Sequence, residues 1–151
     1  MNDKVTLRPI DEENFTDAFR LKLGEGQETF VSHPIRSLAQ AYVYRNQCTP
    51  FGIYDGDTMV GYVMVIYDYD VPEYDVWHLM IDARYQHRGL GRAAMEQVLA
   101  YIAAKPFGDS PRVAMTCHER NTAALRLYES LGFSPTGMRD GAEVELVRVL
   151  P

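Results

Sequence analysis

Apolar and polar positions alternate over residues 4–10, with Val5, Leu7 and Pro9 set against Thr6 and Arg8, which is the period of a half-buried edge strand. Residues 11–23 shift to a helical period: Phe15, Ala18, Phe19 and Lys22 share a side, and Gly24 and Gly26 end the run. After His33-Pro34, Ser37 is read as the N-cap of a second short helix over residues 38–45, with Leu38, Ala41, Tyr42 and Arg45 on one side. Two β-rich runs, residues 51–54 and 58–67, meet at Asp55-Gly56-Asp57, a hairpin turn, and residues 76–81 make a further apolar strand. A glycine loop then leads into a helix carrying Leu90, Ala94, Met95, Val98, Leu99 and Ile102, which Pro106, Gly108 and Pro111 break. Residues 112–117 alternate as a strand, residues 121–131 form the last helix before Gly132, and two strands over 133–138 and 142–150 turn at Asp140-Gly141. The order β-α-α-β-β-β-α-β-α-β-β predicts an α/β (α+β) fold: a mixed, mostly antiparallel seven-stranded sheet with flanking helices, the fourth and fifth strands joined through a crossover helix.

A chain of 151 residues fits one domain, residues 1–151, with a core that needs no staple. Hydrophobic residues at 46% and charged residues at 24% exclude a disordered or low-complexity chain. A net charge of −6 with no basic stripe argues against nucleic acid and anionic membrane as partners. Cys48 and Cys117 lie far apart without metal-ligand spacing, and the N-terminal residues are not apolar enough for a signal or a span, so the expectation is a soluble cytoplasmic protein with free thiols and no metal. The charge is unevenly spread. Between Asn46 and Ala83 there is no Lys or Arg, yet Asp55, Asp57, Asp68, Asp70, Glu73, Asp75 and Asp82 fall there. Solvated hairpin edges and an acidic surface for a cationic ligand explain this equally well.

The chemistry-bearing segment is Gln86-His87-Arg88-Gly89-Leu90-Gly91 at the head of a helix. Glycines two apart let backbone approach a ligand, and unpaired N–H groups at a helix start face an anion such as a diphosphate. The three glycines and later acid of the dinucleotide fingerprint are missing, as is the Gly-Lys-Ser/Thr of a P-loop.

That segment, the strand Leu79-Met80-Ile81-Asp82 before it and the later run from Asn121 through Ala124, Tyr128 and Gly132 to Phe133 resemble the GCN5-related N-acetyltransferase (GNAT) family in residues, spacing and order of elements. The resemblance implies the GNAT acyl-CoA N-acyltransferase fold and acetyl-CoA as cosubstrate. Its pyrophosphate would lie on the amides of Gln86, His87, Arg88, Gly89, Leu90, Gly91 and Arg92, and its pantetheine arm would pair with backbone at Leu79, Met80 and Ile81, where a bulge splays the fourth strand from the fifth. Asn121 matches a position that hydrogen-bonds near the pantetheine, and it also suits an N-cap. Tyr128 matches the tyrosine that serves as general acid for the departing thiolate. Asp75 and His78 are candidates for the base that deprotonates the amine, although strand parity places both inward only if a bulge intervenes. Cys117 and His118 adjoin on a strand and point to opposite faces, so no covalent enzyme intermediate is expected.

Within the family, residues 74–91 are most similar to bacterial diamine and polyamine (spermine/spermidine) N-acetyltransferases, with Trp77 ahead of an apolar triplet and the Ile81 to Gln86 run. A small cationic amine also suits the residues themselves: Asp68, Asp70, Glu73 and Asp75 precede and enter the fourth strand, Tyr67, Tyr69, Tyr74 and Trp77 offer cation–π faces, and Glu25 and Glu28 fall between the first two helices. Glu28, Asp75 and Trp77 are the expected substrate contacts. An aminoglycoside, a lysine-like amino acid or a protein N-terminus would fit the same rim. A CoA-binding sensor without turnover is the reading from another class, and retention of Asn121 and Tyr128 speaks against it. Relatives of this kind are commonly homodimers.

Overall fold

The computed structural model describes residues 4–27 and 30–151. Among them one seven-stranded sheet has the order β1-β2-β3-β4-β5-β7-β6, formed by β1 (Val5–Pro9), β2 (Cys48–Asp55), β3 (Thr58–Asp68), β4 (Glu73–Ile81), β5 (Arg112–His118), β6 (Ser134–Asp140) and β7 (Glu143–Val149). Only β4 and β5 run parallel, as a strand–helix–strand crossover requires. The mixed, mostly antiparallel sheet and its element order are as the sequence predicts. β3 is buried on both faces, which is why it reads as an unbroken apolar run. Its Val63, Val65 and Tyr67 join the core under α3 (Leu90–Ala103) and α4 (Thr122–Ser130). Tyr62, Met64 and Ile66 join the core under α1 (Phe15–Phe19) and α2 (Pro34–Val43).

The first helix is far shorter than residues 11–23. The Asp11 carboxylate accepts from the Glu13 and Asn14 amides at 2.8 and 3.2 Å, and the Asn14 side chain bridges Asp11 N and the Pro9 carbonyl, so local side-chain bonds hold residues 11–14 in turns. At the other end the Lys22 amide donates to Asp82 and the Ala83 amide to the Lys22 carbonyl, which draws the chain away from the helix toward the end of β4. The second helix starts earlier than expected, because His33 is its cap. The His33 ring accepts from the Ile35 amide at 3.1 Å and Pro34 occupies the first turn. Ser37 therefore sits inside the helix, fully buried, with its hydroxyl turned to the sheet.

Two features of β4 place the site. β4 pairs with β5 only through Tyr74–Val113 and Asp75–Ala114, and beyond Asp75 the two strands have no ladder. Between the pairs Met64–Trp77 and Tyr62–Met80, β3 advances two residues and β4 three. That extra residue is a β-bulge: Tyr74 and Val76 face α3, His78 takes a left-handed φ of 61°, and Leu79 and Ile81 face α3 again. Gly61 lies beside this irregularity. A Cβ there would collide with the Met80 carbonyl oxygen and stand 2.9 Å from Ile81 Cδ1.

Two measurements test this frame. Gly61→Ala should lower unfolding free energy by about 1–3 kcal/mol, the usual range for overpacking, read from urea midpoints. Asp82 is fully buried, and its oxygens accept from the Lys22 amide, the Arg84 amide and the Arg84 guanidinium at 2.9–3.1 Å. Burial alone would raise its pKa, but the bonds from Arg84 and Lys22 outweigh it and hold the carboxyl below its usual value. A depressed folded pKa adds stability that is present at neutral pH and lost on acidification. Wild type should therefore exceed Asp82→Asn in stability by about 1–3 kcal/mol at neutral pH, with the gap closing below about pH 4.

Candidate active site

The splay of β4 from β5 opens a cavity of about 620 Å³. One end is walled by the loop before α3 and by α4, through Gln86, His87, Gly89, Leu90, Gly91, Asn121, Leu127 and Tyr128. α2 and the segment before it also line the cavity, through Phe30, Val31, Ser32 and Gln40, as do Thr116 and His118 of β5 and Glu143 of β7. Val76, Trp77, His78, Leu79, Met80 and Ile81 run along its floor.

The expected phosphate loop has the geometry an anion needs. His87 and Gly89 both have left-handed φ, 65° and 77°, so residues 86–89 curl into a nest of amides. The first backbone bond of α3 runs from the Ala93 amide to the Gly89 carbonyl, which leaves the amides of Leu90, Gly91 and Arg92 without helical partners. The Gln86 side chain ties the loop down by donating to the Ile81 carbonyl at 2.9 Å and to Gln27 at 2.8 Å. Arg88 packs over Tyr85, and Arg92 is bound to Ser130 on α4, so both cations sit at the loop's rim. Beyond Asp75, the β4 edge at Leu79, Met80 and Ile81 has no ladder partner on the β5 side and lines the same cavity. Amides at one end and a free strand edge along the floor fit a diphosphate and an extended amide-bearing arm. Asn121 caps α4, its side chain accepting from the Ala124 amide at 3.4 Å, and it reaches the cavity wall.

Tyr128 is 7% exposed and reaches the cavity, and its hydroxyl has no hydrogen-bond partner among the described residues. Burial, and then Cys117 beside it, push its pKa up, so the phenol stays protonated. Burial, and then Glu143, raise the Cys117 thiol to about 11, which disfavours a thiolate there. His78 reaches the cavity because of the bulge, and its ring meets Ser37 Oγ at 2.7 Å. Burial and the Arg36 charge push its pKa down to about 4, so the ring is neutral.

The bulge puts Asp75 and His78 on the same side of β4, but Asp75 stands outside the cavity. It lies beside Glu73 and Glu145, and burial followed by Glu73 raises its carboxyl well above the usual range. Trp77 does line the cavity, whereas Glu28 lies outside the described residues. The aromatic rim is smaller than its sequence suggests. Tyr67 and Tyr74 are core residues, and the Tyr74 hydroxyl donates to the Gly108 carbonyl at 2.7 Å while accepting from the Phe107 and Gly108 amides. Asp68 caps a turn by accepting from the Asp70 and Val71 amides. Other acids of the cation-free stretch have partners from outside it: Asp57 pairs with Arg8, Asp82 with Arg84 and Glu73 with Arg112.

Two cavity residues escaped sequence reasoning. Glu143 is the one Asp or Glu among the described cavity residues, brought there by its pairing with His118 across β5 and β7. Gln40 has a side-chain oxygen sealed from solvent with no donor among the described residues. Neither belongs to a local motif; Glu143 needs the non-local β5–β7 register and Gln40 the correct start of α2.

The chain matches the acetyltransferase (GNAT) family over residues 12–133. It is 24% identical over 145 residues to a spermine/spermidine N(1)-acetyltransferase of Bacillus subtilis, covering 90% of this chain and 91% of that protein. It is 34% identical over 90 residues to the N-alpha-acetyltransferase RimI of Mycobacterium tuberculosis, covering 58% of this chain and 53% of the relative. Among solved structures, spermidine N-acetyltransferase from Vibrio cholerae, in complex with CoA and spermine, superposes with a TM-score of 0.76 at 17% identity, covering 98% of this chain and 96% of that one. No helix among the described residues is long and apolar enough to cross a membrane. With most of its length inside the family match and a cavity shaped for a diphosphate and an extended arm, the chain belongs to the acetyltransferase (GNAT) family, enzymes whose cosubstrate is acetyl-CoA.

Proposed function

We propose that the protein transfers an acetyl group to a primary amine on a small polycation of the polyamine type, with Tyr128 as general acid and Glu143 as the group that receives the amine's proton. The observation that carries this reading is the presence of Tyr128 and Glu143 on one cavity, with the amide nest at one end of it. Acetyl-CoA supplies an activated acetyl thioester, held by the amides of residues 86–92 and the free edge of β4. Tyr128 keeps its proton in the cavity because burial disfavours the phenolate, and it gives that proton to a developing thiolate. Glu143 attracts the ammonium form of the acceptor.

The polyamine choice rests on what lies past Trp77. Two residues along β4, Asp75 shares a patch with Glu73 and Glu145, and Arg112 is the cation that reaches it, 2.7 Å from Glu73 and 3.9 Å from Glu145. A second ammonium there would draw the Asp75 proton off and balance the patch. The similarity to a spermine/spermidine acetyltransferase over nine-tenths of the chain supports the same class. A protein N-terminus is the second reading, favoured by the N-alpha-acetyltransferase relative and by a cavity with one described carboxylate.

Thiol release from acetyl-CoA with spermine, spermidine, putrescine and an alanyl peptide separates the two: selective release with the polyamines is expected, whereas release with the peptide alone replaces the first reading by the second. Tyr128→Phe should lower kcat by about 10²-fold or more with CoA affinity by calorimetry unchanged. Glu143→Gln should lower kcat and raise KM for the amine while leaving CoA affinity unchanged.

A further inference from the structure

Ser37, Tyr62 and His78 form a closed chain of hydrogen bonds behind the cavity wall. Ser37 Oγ lies 2.8 Å from the Tyr62 hydroxyl and 2.7 Å from His78 Nδ1. Ser37 and Tyr62 are both fully buried. His78 is held against Ser37 by a left-handed backbone that a non-glycine residue adopts only when its surroundings fix it. Its other ring nitrogen, Nε2, has no partner among the described residues and is not sealed from the cavity that the ring lines.

Counting protons along this chain fixes its direction. Tyr62 has one hydrogen to donate and Ser37 is its partner among the described residues. If Tyr62 donates to Ser37, then Ser37 donates to His78 Nδ1, every buried hydrogen is used, and the ring proton must be on Nε2. If instead Nδ1 carried the proton, Ser37 would accept from His78, and either the Ser37 or the Tyr62 hydrogen would be left without a partner among the described residues. A buried O–H left unpaired disfavours that tautomer by about tenfold or more. The imidazolium carries the same defect, since it too has a proton on Nδ1. The charged and titratable groups around the chain are Arg36 on α2, which opposes a charge on His78, and Cys48 on β2, whose thiol donates to the Ala41 carbonyl at 3.6 Å.

We propose that Tyr62 and Ser37 are positioning residues that lock His78 as the Nε2–H tautomer, making the ring a hydrogen-bond donor into the cavity for the oxygen of the acyl group being transferred, and not the base that deprotonates the amine. The role of the donated bond rests on the acetyl-transfer reading; the tautomer does not. A neutral donor placed in a partly desolvated cavity stabilises oxygen charge as it develops. Because Nε2 already bears its proton, the nitrogen facing the acceptor has no lone pair to offer. The amine's proton therefore goes elsewhere, which fits the Glu143 carboxylate on the same cavity.

Ring 15N–1H correlation spectra of the four histidines, with His78→Gln identifying the His78 signals, test the tautomer directly. The Nε2–H pattern is expected, unchanged from about pH 6 to 8. An Nδ1–H pattern or an imidazolium in that range overturns the assignment. Ser37→Ala removes the hydrogen that Nδ1 accepts, so the Nδ1–H form should grow several-fold; if that variant does not fold, the wild-type spectrum still decides. In thiol release with acetyl-CoA and spermine, or the alanyl peptide if it is the faster acceptor, His78→Gln keeps an N–H donor without a basic nitrogen. It should retain kcat within about tenfold of wild type, against a loss of about 10²-fold for His78→Ala. Equal large losses in the two variants mean a base and overturn the proposal. If no acceptor on the panel releases thiol, the proposed function fails, while the spectra still decide the tautomer.

Discussion

β4 holds its ladder with β5 for two residues and then lets go, and the rest of the site depends on that release. A parallel pair inside a sheet normally uses its backbone groups on each other. Here the pairing stops at Asp75–Ala114, and the β4 edge beyond it faces a cavity. The bulge against β3 works with the splay: the extra residue at His78 restores Leu79 and Ile81 to the α3 side while turning the His78 ring toward α2. Gly61 on β3 gives the room this needs, because the Met80 carbonyl occupies the place of a side chain there. One local irregularity thus sets a free strand edge, a histidine and the separation between the two ends of the cavity.

The readable parts of this site are contiguous in the chain. The glycine loop, the start of α3 and the last helix each carry their pattern within about a dozen residues, and Gln86, His87, Gly89, Leu90, Gly91, Asn121 and Tyr128, all singled out in the sequence, line one cavity. What was not legible depends on contacts between distant segments. The first helix was overextended because nothing local says that Asp82 will take the Lys22 amide. Ser37 looked like a cap because caps are serine-rich, and it is a buried link between a helix and two strands because His33 had already supplied the cap. Tyr74 looked like a binding aromatic, yet its hydroxyl closes the turn at Gly108. Glu143 enters the cavity only through the β5–β7 register.

Charge follows the same division. Much of the acidic stretch from Asp55 to Asp82 finds its cations in β1, in the loop before α3 and in β5, so its apparent imbalance is in part a consequence of reading one segment alone. Acids do gather around one arginine in the patch of Glu73 and Asp75 with Glu145 of β7. Burial there, and Glu73 beside it, favour protonated Asp75.

The cavity itself is held close to neutral. Burial keeps the Tyr128 phenol and the Cys117 thiol protonated and the His78 ring uncharged, and among the described lining residues Glu143 is the one acid. Field effects in such a space are weakly screened, so in the proposed reaction Glu143 alone would draw in the ammonium group and take its proton. A second carboxylate would bind the ammonium more firmly and so oppose the loss of that proton, since nearby negative charge stabilises the protonated amine. In the proposed reaction the remaining acids, outside the cavity past Trp77, would hold the far end of a polycation without raising the pKa of the nitrogen that reacts.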